Sequence, residues 1–233
     1  SSLNTETDLL ECDAATMTHF PYTDNGVIVV KHQECTPVAD IPGLTRIETF
    51  YVNEGKPITV RAYEMCRTEI KVQDTIAWSL QPSSTSGRLD WVLPVTEGFA
   101  KENYLGMNNT DYGGGIPMID VWQRNGGVAI GLIEPVLRTI SMPIEWKRYD
   151  DKISMALRYE FEHPVTLNTG DTLHTFSAFR YEHTGDYFNA LRTFSEVMQQ
   201  EAGIQLPASE PEAFEPVWCA WGYERTFTID EVI

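Results

Sequence analysis

Two short stretches hold the side chains most suited to chemistry. The first, near the C-terminus, reads EPVWCAWGYERTFTIDEVI and brings together Trp221, Tyr223, Glu224 and Arg225, with Trp218 just before them. An indole ring offers an apolar face to C–H groups, and neighbouring charged groups hydrogen-bond to hydroxyls. This combination fits the binding of a ligand that carries both kinds of group. The alternative is that the aromatic side chains are core residues, and for Trp218 that interpretation is favoured.

The second stretch is the loop Asp111-Tyr112-Gly113-Gly114-Gly115. Glycine permits backbone conformations that other residues avoid, and it lets a ligand or a neighbouring chain approach closely. The spacing does not match the GxxxxGK[ST] phosphate loop, and the segment leads into a strand rather than a helix. The loop is therefore either a ligand-contacting element or a connection that only turns the chain.

Asp120 and Trp122 follow this loop in the next predicted strand. Being two residues apart, they share one face of that strand. A buried aspartate needs a hydrogen-bond donor, and Arg124 or a backbone amide is the nearest candidate in the sequence. We interpret both residues as structural.

Neither the cysteines nor the histidines form a metal-binding pattern. The spacings between Cys12, Cys35, Cys66 and Cys219 match no zinc motif, and the five histidines form no HxxxH or HxH pair. We expect no metal and no cofactor. Buried free thiols are the favoured state of the cysteines. A disulfide such as Cys35–Cys66 stays open, because four cysteines allow three pairings.

The charge balance excludes some classes of partner. The chain has 17 Lys and Arg against 34 Asp and Glu, a formal net charge of −17. Such a field repels phosphate backbones and anionic membranes, so we expect neither nucleic acid nor a lipid surface as partner. No apolar run reaches the length of a membrane span. The first residues lack the features of a signal peptide, so the chain is either cytoplasmic or extracytoplasmic with its signal removed.

Strand patterns dominate from about residue 25 to residue 182. Asp24-Asn25-Gly26 forms a turn before the first predicted strand, Asn125-Gly126 marks a tight hairpin, and Asn53-Glu54-Gly55-Lys56 is a loop of hairpin length. Many strands at short spacing without intervening helices indicate antiparallel sheets packed on each other. The fold class is therefore mainly β, a large supersandwich-like β-sandwich. The predicted strand runs are GVIVVKH, RIETFYV, PITVRAYEM, EIKVQDTIAWSL, PMIDVWQR, GVAIGLIE, PIEWKR, ISMALRYEFEH and DTLHTFSAFRY.

The pattern changes to a period of 3.6 in HTGDYFNALRTFSEVMQQEAG. Thr184 or Asp186 fits the N-cap and Gly203 the C-terminal glycine, which predicts an amphipathic helix over about 185–201. We expect its apolar stripe to cover a sheet edge or another domain. The stripe consists of Tyr187, Ala190, Leu191, Phe194, Val197 and Met198.

The tail reads as a linker, a strand and a helix start. Residues 204–216 have the composition of a solvated linker, PVWCAW is of strand length, and Thr228-x-x-Glu231 is a capping box. This order is the first half of a β/α unit, so we expect the chain to be cut just inside a further domain. The alternative is a natural terminal strand that pairs with the sandwich. The predicted units are a sandwich (1–183), a joining helix (184–203), the linker, and the start of a barrel (217–233).

These features resemble the N-terminal part of the family 36 glycoside hydrolases, the alpha-galactosidase-like enzymes. NYLGMNNTDYGGGIPMIDVWQRNGGVAIGLIE is similar to their D-Y-G-G-G-x-P-x-x-D-V-W segment, and HTGDYFNALRTFSEVM with EPVWCAWGYERTFT is similar to their joining helix and first barrel strand. The resemblance covers most of the chain after about residue 25. Gly222 is a departure, since many members have an acidic residue there, and this leaves the exact sugar undetermined.

The resemblance implies a sandwich, a (β/α)8 barrel and a C-terminal β-domain. Catalysis would use two carboxylates about 5 Å apart, both on later barrel strands that this sequence does not contain. The chain alone is then inactive, with no catalytic residue. Barrel sites gather at the C-terminal strand ends, so the resemblance implies sugar contacts from the residues Trp221, Tyr223, Glu224, Arg225, Asp111 and Tyr112.

The implied partners are a carbohydrate such as an alpha-galactoside, the remaining barrel, and a second copy of the chain. The alternative function is a free-standing carbohydrate-binding or adhesive β-sandwich. The helix and the half β/α unit disfavour it, because a binding module needs neither. A complete sandwich enzyme is the weakest interpretation, since no triad, metal cluster or activated carboxylate pair stands out.

Overall fold

The computed structural model describes residues 9–82, 91–101, 104–105, 115–136, 138–205, 207–215, 228 and 230. These residues form two antiparallel β-sheets and one α-helix, α1 (Tyr187–Gln200), followed by a 3-10 turn at Pro211–Phe214. The strands are β1 (Leu10–Cys12), β2 (Thr16–Met17), β3 (Tyr22–Asp24), β4 (Val27–Pro37), β5 (Leu44–Asn53), β6 (Ile58–Lys71), β7 (Ala77–Leu80), β8 (Val92–Val95), β9 (Ala100–Lys101), β10 (Tyr104–Leu105), β11 (Met118–Gln123), β12 (Gly126–Leu132), β13 (Ile140–Ser141), β14 (Ile144–Glu145), β15 (Lys152–Leu167), β16 (Thr172–His174) and β17 (Ala178–His183).

The strands divide into an eight-stranded and a nine-stranded sheet, which confirms the predicted fold class. The eight-stranded sheet has the order β10-β13-β15-β6-β1-β2, with β14 beside β15 and β9 beside β14. The nine-stranded sheet has the order β3-β4-β5-β17-β12-β11-β7-β8, with β16 beside β5. The main core lies between the sheets. It is built from alternate strand residues such as Val29, Tyr51, Val60, Ile119 and Leu157.

Helix α1 begins and ends where the sequence predicts. Asp186 is its N-cap and accepts a hydrogen bond from the Phe188 amide at 3.1 Å. Beyond its C-terminus, Gly203 has a φ of 68°, a conformation that glycine adopts without strain. The apolar stripe contacts β11, β12 and β17, so it covers the middle of the nine-stranded sheet's outer face rather than a sheet edge. Ala190 and Val197 are fully buried in this second, smaller core.

The predicted turn at Asn25-Gly26 and the predicted hairpin at Asn125-Gly126 both form. Asn25 and Gly26 both have positive φ, 48° and 80°, and join β3 to β4. This conformation fits the right-handed twist of the flanking strands. The hairpin of β11 and β12 also forms, but its two loop residues are Arg124 and Asn125, because Gly126 already pairs with Gln123.

The loop at residues 53–56 is not a hairpin, which corrects the prediction. It carries the chain from β5 in one sheet to β6 in the other. Asn53 is fully buried and donates to the carbonyls of Lys56, Leu167 and Asn168. This side chain therefore satisfies backbone groups at a corner between the sheets. The run at 69–80 is likewise two strands, since β6 ends at Lys71 and β7 begins at Ala77.

The three described cysteines are free. Cys12 and Cys66 are buried and Cys35 is half-buried, so the Cys35–Cys66 disulfide is not formed. Burial raises the pKa of the Cys66 thiol to about 12, which keeps it protonated and unreactive at neutral pH. Cys219 lies outside the described residues.

Candidate functional site

The sequence-predicted sugar-contacting residues fall outside the described residues. These are Trp221, Tyr223, Glu224, Arg225, Asp111 and Tyr112, together with Trp218 and the predicted barrel strand. The other candidates, Asp120, Trp122 and Arg124, lie on or beside β11 and can be placed. They belong to the outer face of the nine-stranded sheet, the face that α1 partly covers.

Two tryptophans stand side by side on this outer face. Trp122 on β11 is directly opposite Trp78 on β7. On its other side it is opposite Gly127 on β12. A Cβ at Gly127 would lie 2.6 Å from the Trp122 Cβ, so the glycine leaves room for the indole. Trp122 is half-buried against Tyr187 of α1, with ring centroids 5.4 Å apart. Trp78 is 44% exposed.

These two rings form one wall of an open cleft of about 560 Å³ beside the start of α1. We call it the tryptophan cleft, and it is lined by Asp74, Thr75, Ile76, Trp78, Trp122, Gln123, Arg124, Gly185 and Asp186. Its volume lies in the range of small-molecule sites, about 300–1,000 Å³.

The second wall of the tryptophan cleft is held by Gln123. The Gln123 Oε1 accepts from the amides of Gln73 and Asp74, at 2.7 and 3.1 Å. Its Nε2 donates to the Lys71 carbonyl at 3.0 Å. One buried side chain therefore fixes the turn between β6 and β7, and the cleft is shaped before any ligand arrives.

Three charged groups line the tryptophan cleft. Asp74 accepts from the backbone amide of Arg124 at 3.4 Å, and Asp186 caps α1 through one carboxylate oxygen. The Arg124 guanidinium makes no hydrogen bond or ion pair with another described residue. The cleft thus offers both donors and acceptors next to an aromatic surface.

On the same sheet face as Trp122 lies a buried ion pair, Asp120 and His183. The Nε2 of His183 is 2.9 Å from the Oδ1 of Asp120, and both side chains are fully buried. The side-chain partner of Asp120 is therefore His183 on β17, not Arg124. Only Gly127 and Ala129 of β12 separate the two residues on this face, so the side chains meet across that strand.

The geometry favours a charged imidazolium. Both ring nitrogens of His183 face acceptors, Asp120 through Nε2 and the Thr184 carbonyl through Nδ1 at 3.3 Å. Burial alone would lower the pKa of His183, but the hydrogen bond to Asp120 and its charge outweigh burial and raise it. Burial raises the pKa of Asp120, and the hydrogen bond from His183 opposes that rise.

We predict that the pair makes stability fall as pH rises. A raised pKa means that the folded pair holds its proton more tightly than the unfolded chain does. The stabilisation is complete below about pH 6.5, the usual histidine pKa, and is lost as pH rises through the folded value. Urea unfolding from pH 6 to pH 9 measures this effect against the variant His183→Gln. An equal pH dependence in both proteins would contradict it.

The buried pair is structural rather than catalytic. Its side chains have no exposed surface through which a substrate could reach them, and proton transfer to a substrate needs contact within hydrogen-bond reach. Among the described residues, no group of three His, Cys, Asp or Glu side chains is placed to hold a metal ion. No helix in the described ranges is long and apolar enough to cross a membrane.

Sequence reasoning missed Trp78, Asp74 and His183. Trp78 lies in a predicted strand run, but nothing local shows that β7 pairs with β11 and so places it beside Trp122. His183 lies 63 residues from Asp120 along the chain. The signal available in the sequence is strand alternation, which places Trp78 on the face opposite to Ala77 and Ser79. In the structure Ala77 and Ser79 are fully buried and Trp78 is exposed.

A second, mostly apolar cavity of about 330 Å³ lies on the other side of α1. We call it the helix groove. Phe194 and Met198 of α1 form one side, Leu132 and Val136 form the other, and Ile204 lies at the exit from the helix. It is a packing surface rather than a polar binding site.

Comparisons with known proteins find a sequence relative and a structural neighbour. The chain is 23% identical over 211 residues to an A type blood alpha-D-galactosamine galactosaminidase from Flavonifractor plautii, a match over 80% of this chain and 18% of that protein. It superposes with a TM-score of 0.60 and 11% identity on the crystal structure of the GH36 alpha-galactosidase AgaA from Geobacillus stearothermophilus in complex with raffinose, over 83% of this chain and 32% of that one. No family model matches the chain.

The chain therefore spans about a third or less of each of these larger proteins. The likeness to AgaA concerns the fold, which is the two-sheet sandwich described above. The galactosaminidase match adds a sequence relationship over most of the chain. Together these matches show that the chain resembles part of a GH36 alpha-galactosidase in fold and part of a galactosaminidase in sequence.

Proposed function

We propose that the chain is the non-catalytic N-terminal β-sandwich domain of an alpha-galactosidase-like retaining glycoside hydrolase. The observation that carries this proposal is the shared fold with AgaA over 83% of the chain. The sequence match to the galactosaminidase supports it independently. In this proposal the domain supports a catalytic barrel and helps to shape its sugar site.

We propose the following division of the chain. Residues 1–183 would form the sandwich and 184–203 the joining helix. Residues 204–216 would form the linker, and 217–233 would begin a (β/α)8 barrel. Within the linker, Ile204 is half-buried, whereas the described residues 207–215 are all exposed. In this proposal the barrel attaches at the helix groove, because Ile204 lines the groove at the point where the chain leaves α1.

The proposed substrate is an alpha-galactoside or a related glycoside. AgaA was crystallised with raffinose, and the Flavonifractor relative is named for the removal of galactosamine. Trp221 would stack on the sugar ring, and Glu224 and Arg225 would hydrogen-bond to its hydroxyls. Tyr223 and the loop at Asp111 and Tyr112 would border the same site. The two catalytic carboxylates would come from later barrel strands.

We predict that the purified 233-residue chain does not hydrolyse nitrophenyl alpha-galactoside. The reason is that the proposed catalytic pair lies outside it. The assay compares the chain with a mock preparation from cells that carry the empty vector. Turnover above the mock preparation that follows the chain through purification would overturn the proposal that this region is non-catalytic.

The second candidate function is a free-standing carbohydrate-binding module. The tryptophan cleft favours it, since an exposed indole and a half-buried one beside polar groups are suited to sugars. The helix packed on the outer sheet face favours the enzyme domain instead, because a binding module needs no such element. A reading frame that ends at residue 233 would support the module.

A further inference from the structure

We infer that the tryptophan cleft is a saccharide-binding site of the sandwich itself, which takes a neutral oligosaccharide. It is formed entirely by described residues of the sandwich and the start of α1. None of its residues belongs to the proposed barrel. The inference rests on the proposed function only for the choice of sugar in its test.

The aromatic surface of the tryptophan cleft is suited to sugar rings. Trp78 and Trp122 are direct cross-strand neighbours, and such pairs have Cβ atoms about 4.5–5.5 Å apart. Next to Trp78 on β8 is Pro94, which is also exposed. The row Pro94, Trp78 and Trp122 therefore presents an apolar strip across three neighbouring strands, which continues beyond the cleft at Pro94. The C–H face of a pyranose stacks on an indole.

Contacts within the protein hold the walls of the tryptophan cleft in place. Trp122 is backed by Tyr187, and Tyr187 stacks on Phe188 with centroids 4.3 Å apart. Gln123 holds the facing turn through three hydrogen bonds to the backbone. A ligand therefore meets an ordered surface and does not have to order it, which lowers the entropic cost of binding.

The polar groups select the class of ligand. Asp74 and Asp186 supply carboxylate acceptors, and Arg124 supplies donors. A sugar hydroxyl both donates and accepts, so it can bond to either kind of group. An anionic ligand would meet two carboxylates beside one guanidinium, on a protein of net charge −17. A neutral oligosaccharide is thus favoured over a phosphorylated or sulfated one.

The test is a titration of the 233-residue chain with raffinose and, separately, with maltotriose. Binding is followed by tryptophan fluorescence and by calorimetry. We expect at least one of these neutral trisaccharides to bind, and Trp78→Ala to raise its Kd at least tenfold. Trp91→Ala is the matched control, because Trp91 is 43% exposed but lies outside the tryptophan cleft. It should change the Kd by less than twofold.

Three results would overturn the inference. The first is that neither sugar binds the wild-type chain at millimolar concentration. The second is that Trp78→Ala binds as tightly as wild type, and the third is that Trp91→Ala weakens binding equally. Circular dichroism and the urea midpoint of each variant separate loss of binding from loss of folding. The assay involves no turnover, so its failure is distinct from failure of the proposed enzyme function.

Discussion

Replacing Asp120 with alanine is expected to lower the free energy of unfolding by about 3–5 kcal/mol, the usual cost of removing one partner from a buried ion pair. The substitution would leave His183 fully buried with only the Thr184 carbonyl as partner. The imidazole must then lose its proton or remain charged without a counterion. Urea unfolding monitored by tryptophan fluorescence measures the loss at pH 6.

The matched control for this substitution is Asp40→Ala. Asp40 is exposed, and surface substitutions usually change stability by less than about 0.5 kcal/mol. The double variant Asp120→Ala/His183→Ala should lose less free energy of unfolding than the two single variants lose in sum. The reason is that either single substitution already breaks the ion pair. If the losses of unfolding free energy in the two single variants sum to the loss in the double variant, the two residues do not interact and the ion pair is not a stabilising contact.

Replacing Phe179 with alanine is expected to cost about 3–5 kcal/mol, the range for truncating a buried phenylalanine. Phe179 is fully buried on the outer sheet face, and its ring lies 6.1 Å from that of Phe194 in α1. A Cβ at Gly131 would lie 2.4 Å from the Phe179 ring, so the ring lies across that glycine. Truncation would open a cavity between the helix and the sheet.

Hydrogen exchange distinguishes this effect from a general loss of stability. Relative to wild type, Phe179→Ala should accelerate the exchange of α1 amides more than the exchange of amides in β6 and β15, which lie in the other sheet. Phe214→Ala is the control, because Phe214 is 79% exposed, and we expect it to leave both stability and exchange unchanged. Equal acceleration across the whole chain would show that Phe179 does not act through the helix.

The local elements of the fold could be predicted because their signals are local. Asp186 caps α1 with a side chain that reaches two residues along the chain, and Asn25-Gly26 specifies its own turn. The partner of each strand could not be predicted in this way. The loop at Asn53 has hairpin length, yet it leads into the other sheet, where Asn53 donates to the carbonyls of residues 167 and 168.

The residues of the tryptophan cleft and of the buried ion pair are also brought together by strand pairing between distant parts of the chain. Asp120 and Trp122 were singled out from their own strand, and the inference that they share a face was right. Their partners Trp78 and His183 come from β7 and β17, and the register that brings them together is a property of the sheet. The proposed barrel residues Trp221 and Arg225 remain predictions that rest on resemblance.

The central claim is that this chain is one domain of a larger alpha-galactosidase-like enzyme. The most direct measurement is the hydrolysis of nitrophenyl alpha-galactoside by the product of the complete reading frame, beside the same product in which residues 1–203 are deleted. We predict turnover by the complete product and none by the deleted one, which would lack the support of the sandwich. A reading frame that stops at residue 233, or a complete product that hydrolyses no alpha-linked galactoside or galactosaminide, would contradict the claim.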